Sequence, residues 1–221
     1  MNIWDDLVKF FQGGGTFMFP IAVVLVIGLS IAIERYIYLV RVSSHNRALW
    51  NQIVPMLSQG NFRQVVQITS KSDSAIGQIL NYGLARIQAA RRRDDIEKAM
   101  EESLMEVVPR LEKRTHYLAT FANLATLLGL LGTVMGLINA FHAVATVNPA
   151  EKANLLSASI SVAMNCTAFG LMTAVPLLFI HAFLQTKTTE LIDSLEMASV
   201  KFLNAVTERR PEAPAPAPAA A

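Results

Sequence analysis

Two threonines inside long uncharged stretches are the side chains of this sequence best placed to take part in chemistry. Thr133 and Thr167 lie in blocks, residues 115–150 and 153–186, that contain no Asp, Glu, Lys or Arg. A hydroxyl can donate and accept hydrogen bonds, but a proton relay across a bilayer needs a titratable group near the midplane. His142 and His181 fall near the ends of these blocks and are interpreted as interfacial histidines. The chain can therefore line a proton path, and a partner would have to supply the carboxylate.

The two hydroxyls are predicted to lie at nearly the same depth in a membrane. The second span is expected to leave the membrane near Val144, about eleven residues after Thr133, and the third to enter it near Leu155, about twelve residues before Thr167. A helix rises about 1.5 Å per residue, so antiparallel neighbours would bring both hydroxyls into one layer. The alternative is that each threonine donates to a carbonyl of its own helix and serves packing alone.

Small residues dominate one face of the helix predicted around Thr133. The following positions share a stripe at helical spacing: Ala122, Thr126, Gly129, Thr133, Gly136 and Ala140. Gly132 and Gly136 also form a GxxxG pair, and such faces let helix backbones approach closely inside membranes. Gly170 and Ala174 are the corresponding small residues of the next block. We therefore predict that these residues pack one helix against another.

Three uncharged blocks indicate the fold class. The chain of 221 residues is 52% hydrophobic and 16% charged, whereas about a quarter of the residues of a soluble domain are charged. Charges are absent from residues 17–33, 115–150 and 153–186, and each block can cross the roughly 30 Å hydrocarbon core as a helix. The sequence predicts an all-α integral membrane protein with three transmembrane helices, two of them extended into the cytoplasm, and a helical cytoplasmic insertion.

The distribution of basic residues predicts the orientation. Most Lys and Arg residues lie between positions 41 and 114, and the segment from Lys187 onward carries four more. Lys9 and Lys152 are the only basic residues on the opposite side. By the positive-inside rule the long loop and the C-terminus face the cytoplasm and the N-terminus faces the periplasm. The net charge of +2 gives no reason to propose a nucleic acid as a partner.

These patterns divide the chain into eight predicted segments. Three are transmembrane helices, at 16–40, 115–145 and 155–186. Two are periplasmic, an interfacial helix at 1–15 and a short loop at 146–154. The other three are a cytoplasmic helical region at 41–114, a cytoplasmic helix extension at 187–208 and a disordered Pro/Ala tail at 209–221. The helix extension is predicted from a heptad-like seam of Leu184, Thr188, Leu191, Leu195, Ala198, Phe202 and Ala205.

Within the cytoplasmic region, short helices are predicted over about 44–57, 61–68 and 74–90, with Asn61 capping the second. Asp94 and Glu97 resemble a capping box that opens a longer helix, and Pro109 is expected to kink that helix near the membrane.

Two adjacent charged residues lie at the end of the first span. Glu34 and Arg35 are consecutive, so on one helix they are predicted to point apart rather than to pair with each other.

The sequence shows no set of residues typical of an enzyme. Residues 43–114 contain no Gly-rich phosphate loop, Cys/His cluster or Ser/His/Asp set. Cys166 is the one cysteine, and it is interpreted as a small apolar packing residue. Neither enzymatic activity nor a metal or cofactor is expected.

Two motifs carry a resemblance to a known family. Residues 131–141 read LGTVMGLINAF, and residues 167–171 and 174–176 read TAFGL and AVP. The first closely resembles the LGTVxGxxxxF signature of the ExbB/TolQ/MotA proton-channel superfamily, and the second is similar to its TAxGLxxAxP stretch. The resemblance covers about residues 3–205. Three spans with one cytoplasmic insertion are similar to the ExbB/TolQ branch rather than to MotA, which has four.

The resemblance implies a function and partners. It implies a homopentamer in the bacterial inner membrane that encloses a dimer of a single-span ExbD/TolR-like subunit, whose membrane Asp carries the proton. Thr133 and Thr167 match the family's pore-facing threonines, and a TonB-like protein would receive the force. Where ExbB and TolQ usually have Glu, five residues before the matched threonine, this chain has Val162, with Ser161 and Asn165 as nearby polar lining residues.

Two alternatives remain open at the level of the sequence. One is a MotA-like stator for motility or another machine. The other is a non-conducting membrane scaffold, in which the small-residue stripes only assemble helices.

Overall fold

The computed structural model describes residues 10–11, 13–87, 93–146 and 148–208. Their helices are α1 (Met18–Gln59), α2 (Phe62–Ser70), α3 (Ala75–Ile87), α4 (Arg93–Glu112), α5 (Thr115–Thr146) and α6 (Lys152–Thr207). Helices α1, α5 with α4 before it, and α6 are long and apolar enough to cross a membrane. The predicted all-α class with three membrane-spanning helices is confirmed.

The first compact unit consists of the described residues of Met1–Tyr36 and Arg114–Gln185, and we call it the spanning unit. It contains the apolar part of α1, all of α5 and the first part of α6. Its buried core consists of Ile21, Val24, Ala122, Ala125, Cys166, Ala174 and Leu177. Because most of these side chains are small, the three helices approach closely.

The second compact unit consists of the described residues of Ile37–Lys113 and Thr186–Ala221, and we call it the polar unit. Its large buried side chains include Ile53, Ile79, Leu80, Leu195 and Phe202. The predicted seam of α6 is buried at six of its seven positions, and Ala205 is half-buried. The apolar residues of α6 that follow the third span therefore belong to a packed core.

The first helix differs from the prediction. Residues 44–57 do not form a separate helix, because α1 continues unbroken to Gln59. No Gly or Pro lies between positions 36 and 54 to interrupt it, and Pro55 is accommodated within the helix. Gly60, with φ of 79°, follows its end, as is common for the residue after a helix C-cap.

Two local predictions are also corrected. Asn61 precedes α2, but its side chain forms no capping hydrogen bond; its carbonyl instead accepts from Gln64 and Val65. Asp94 lies inside the first turn of α4, where a negative charge favours the helix dipole. Pro109 lies inside α4, which continues to Glu112, and the kink expected there stays a prediction.

Some predictions fall outside the described residues. These are most of the interfacial helix at 1–15, the end of the helix at 74–90, and all of the Pro/Ala tail at 209–221.

Candidate functional site

Helices α5 and α6 touch through their backbones at two glycines. A Cβ atom placed on Gly129 would lie 3.3 Å from the Cα atoms of Gly170 and Thr167. A Cβ atom on Gly170 would lie 2.8 Å from the carbonyl oxygen of Ala125. Because the opposing atoms belong to backbone, neither position can accept a larger side chain without moving a helix.

The contact continues along α5 through the GxxxG pair. A Cβ atom on Gly132 would collide with the Sγ atom of Cys166 and lie 3.2 Å from the Cβ of Phe17. A Cβ atom on Gly136 would lie 2.9 Å from the Cβ of Ala163. Successive positions of α5 thus meet earlier positions of α6, as antiparallel neighbours do.

The small-residue stripe is therefore used inside a single chain. Ala122, Gly129 and Ala140 are buried, but Thr126 and Thr133 lie at the half-buried edge of the contact. The centre of the contact is filled instead by Ala125 and Gly132, which are also buried. On α6, Ala174 is buried in the core beside Leu177. The predicted stripe therefore takes part in the contact at Gly129 and Gly136, and Gly132 beside it also faces Phe17, the residue before α1.

Thr167 links the two helices by a hydrogen bond. Its hydroxyl donates to the carbonyl oxygen of Gly129 at 3.0 Å. That carbonyl is reachable because Gly129 has no side chain to cover it. The hydroxyl oxygen retains lone pairs that can accept a hydrogen bond.

Thr133 uses its hydroxyl differently. It donates to the carbonyl oxygen of Leu130 in its own helix at 2.6 Å, which is the bond expected of a threonine that serves packing. Since Gly132 faces Cys166, Thr133 lies opposite about position 165, roughly two residues or 3 Å along the axis from Thr167. The two hydroxyls therefore lie close to one level of the α5–α6 pair.

Ser161 and Asn165 do not join the two threonines in a common hydrogen-bond network in the part of the chain that the structure describes. Ser161 is exposed, and Asn165 donates from Nδ2 to the carbonyl oxygen of Gly13 at 3.4 Å. Val162 lies against the same turn, since its Cγ1 would be 3.1 Å from a Cβ atom on Gly15. This face of α6 thus holds the turn that precedes α1.

Three charged residues of the spanning unit lie close together at the end of the first span. Glu34 lies 3.9 Å from Arg35 and 3.6 Å from Arg114, measured between carboxylate oxygens and guanidinium nitrogens. The prediction that Glu34 and Arg35 do not pair with each other is wrong, because their charged groups lie within ion-pair distance. Arg35 is only 3% exposed.

Further residues, which were not predicted to belong to the site, also contribute to it. Phe17 and Cys166 fill the space in front of Gly132, and Phe169 packs edge-to-face on Phe11 at 5.8 Å. The aromatic residues just before the first span are the feature of the sequence that could have predicted this packing. In the described part of the chain, no three His, Cys, Asp or Glu side chains are grouped to hold a metal ion.

Large apolar side chains remain exposed on α5, including Leu127, Val134 and Phe141, each more than half exposed. This surface can face lipid or other subunits, so the single chain leaves room for membrane partners.

Comparison with known proteins agrees with the geometry. Residues 71–197, more than half of the chain, match the MotA/TolQ/ExbB proton channel family. The chain is 25% identical over 206 residues to a protein named "Putative biopolymer transport protein ExbB homolog" from Methanothermobacter thermautotrophicus, covering 89% of this chain and 69% of that protein.

Two further relatives belong to bacteria. The biopolymer transport protein exbB1 of Vibrio cholerae is 27% identical over 177 residues, covering 78% of this chain and 76% of that protein. The Tol-Pal system protein TolQ of Pseudomonas aeruginosa is 30% identical over 113 residues, covering 47% of this chain and 48% of that protein.

Proposed function

Because this chain belongs to the MotA/TolQ/ExbB proton channel family, we propose that it is an ExbB/TolQ-like subunit that couples the proton motive force to a periplasmic partner. The family's components act in energy transduction, and the chain is a multi-pass protein of the inner membrane. The receiving partner would be a TonB-like protein in outer-membrane uptake or a similar system.

One observation carries the proposal. Thr133 and Thr167 lie near one level of two packed helices whose uncharged stretches hold no Asp, Glu, Lys or Arg. Both hydroxyls donate to carbonyls and keep lone pairs with which they can accept from a water or a protonated carboxyl group. Ser161 and Asn165, on the same helix as Thr167, are proposed to add polar lining at its periplasmic side.

The titratable group is proposed to come from a partner. A homopentamer of this chain would enclose a dimer of a single-span ExbD/TolR-like subunit, whose membrane Asp carries the proton past the threonines. Each proton that crosses makes available about 2.3 kcal/mol per 100 mV of membrane potential. The proposed orientation places 41–114 and the C-terminus in the cytoplasm and 146–154 in the periplasm.

Replacement of each threonine by valine tests the proposal. In liposomes that contain the complex, we expect Thr133→Val and Thr167→Val each to reduce potential-driven proton flux about tenfold or more, the effect of roughly 1.4 kcal/mol on a barrier. Thr126→Val is the matched control, because Thr126 is also half-buried on α5 and donates to its own helix, at Ala122.

Native mass measurement of the same preparations separates conduction from assembly. We expect five copies of the chain with two single-span partners in every variant. Undiminished flux in both Thr133→Val and Thr167→Val would refute the proposed proton path. A scaffold would instead be harmed only by bulky replacements at Gly132 or Gly136.

A further inference from the structure

The polar unit contains a cavity of about 510 Å³ that the proposed proton path does not involve. It is lined by residues of α1, of α3 with the connection before it, and of α4. Three cations line it, Arg41, Lys71 and Arg110, against one acid, Asp73. Arg110 is hydrogen-bonded to Glu106 on its own helix. In the described part of the chain, neither Arg41 nor Lys71 forms an ion pair.

Asn46 lines this cavity and has an unused donor. Its side chain is only 4% exposed, and its Oδ1 accepts the backbone N–H of Ile76 at 3.2 Å. Because a backbone N–H can only donate, this bond fixes the amide with Nδ2 on the other side. Among the described residues, Nδ2 is buried and has no hydrogen-bond partner. A buried donor without a partner is costly, so a ligand acceptor that reached Nδ2 would relieve that cost.

Further groups around the cavity favour an anion. Helix α3 begins at the cavity, and the positive end of its dipole attracts negative charge there. Ser74 is used as its cap, since Gly77 donates to the Ser74 hydroxyl at 3.1 Å.

We propose that this cavity binds a phosphate group. The ligand must offer acceptors to the Nδ2 of Asn46 and to the cations Arg41 and Lys71, which approach from α1 and from the connection before α3. Phosphate offers several oxygens in a tetrahedral arrangement and forms strong charge-assisted hydrogen bonds. The volume leaves space for a group attached to the phosphate.

The phosphate could be free in solution or belong to an acidic lipid. Tyr38 and Arg41 follow Ile33, the last residue of the first uncharged block, by five and eight positions. A helix rises about 1.5 Å per residue, so Arg41 lies about 12 Å further along α1. This distance is comparable with the depth of a headgroup layer, and clusters of basic residues at that depth recognise lipid headgroups.

Phosphate binding can be measured on the full-length chain purified with its partner in maltoside detergent, which contains no phosphorus. One arm adds inorganic phosphate and follows broadening of its phosphorus NMR line. A second adds dioctanoyl phosphatidylglycerol, with dioctanoylglycerol as the neutral control, and counts retained lipid by native mass spectrometry. A third adds a hexaglutamate peptide and follows its retention in the same way.

Three variants test the site. Asn46→Asp keeps the acceptor for the N–H of Ile76 but replaces the donor by a negative charge, and Arg41→Gln removes a cation. Each should weaken binding roughly tenfold or more, as expected for the loss of a charge-assisted hydrogen bond. Arg47→Gln is the matched control, because Arg47 is an exposed cation on α1 that does not line the cavity.

Binding of phosphate or of the lipid that is lost in Asn46→Asp and Arg41→Gln, and kept in Arg47→Gln, supports the proposal and identifies the source. Absence of binding in both arms overturns it. Equal binding by all variants, or retention of the acidic peptide alone, also overturns it. No outcome depends on proton flux, so the proposed function is tested separately.

Discussion

Thr133 and Thr167 carry the same hydroxyl but use it for different contacts. Thr167 donates across the helix pair to Gly129, whereas Thr133 donates to Leu130 one turn earlier in its own helix. The contribution of the Thr167 hydroxyl to stability can therefore be compared with that of the Thr133 hydroxyl, because only Thr167 joins two helices.

We expect Thr167→Val to lower the free energy of unfolding by about 1 kcal/mol, the size of an interhelical hydrogen bond inside a membrane. Thr133→Val should cost less, because the carbonyl it releases stays in its helical hydrogen bond. Unfolding of the purified chain in mixed detergent, followed by circular dichroism, measures both.

Thr167→Ser is the control for the interhelical bond, since it keeps the hydroxyl and should retain most of the stability. Equal losses in Thr167→Val and Thr133→Val would show that the bond to Gly129 contributes no net stability.

At the scale of elements, the tolerance of the α5–α6 contact to a larger side chain depends on which atoms that side chain would touch. At Gly170 it meets the backbone of Ala125 at 2.8 Å, and at Gly132 it first meets the side chain of Cys166. A backbone can move only with its helix, whereas the thiol of Cys166 can rotate to another rotamer.

We therefore expect Gly170→Ala to destabilise the protein by about 1–3 kcal/mol, as overpacking of a core does. Gly132→Ala should cost less, and Cys166→Ala added to it should recover part of that loss by removing the Sγ atom. Thermal unfolding of the single and double variants compares them. A greater loss for Gly132→Ala than for Gly170→Ala would contradict this account of the contact.

The junction between α4 and α5 is the second element to test. Arg114 adopts a φ of 67°, and the left-handed helical region costs residues other than glycine roughly 1–2 kcal/mol. Its ion pair with Glu34 at 3.6 Å joins two side chains that are each about half exposed, and such pairs contribute about 0–1 kcal/mol.

Arg114→Gly should therefore raise the midpoint of thermal unfolding, because relief of the backbone exceeds the lost ion pair. Arg114→Ala removes the same ion pair without that relief and should lower the midpoint. If both variants changed it equally, the ion pair rather than the backbone would control this junction.

At the scale of the whole molecule, orientation is the property to measure. In a Cys166→Ala background we expect a membrane-impermeant maleimide to label Ala150→Cys in intact spheroplasts. Gln52→Cys should react only after permeabilisation, because the positive-inside rule predicts that 41–114 faces the cytoplasm. Both positions are exposed in the structure. The reverse pattern of labelling would overturn the proposed orientation.

Much of the fold follows from local sequence. Uncharged blocks of sufficient length predict three membrane-spanning helices, because an isolated charge is costly in the hydrocarbon core. The spacing of Leu184, Leu191, Leu195 and Phe202 predicts a buried seam, because a helix places them on one face.

Other features were decided only by the tertiary structure. Which face of α5 is buried depends on where Phe17 and Cys166 lie, and the spacing of small residues along one helix does not contain that information. The partner of the Thr167 hydroxyl and the partner of the Asn46 side-chain oxygen likewise depend on groups from other helices. The sequence determined by itself that the chain spans a membrane, because burial of its apolar blocks is a property of each block. The tertiary structure determined which side chains meet, because a contact depends on the positions of two residues at once.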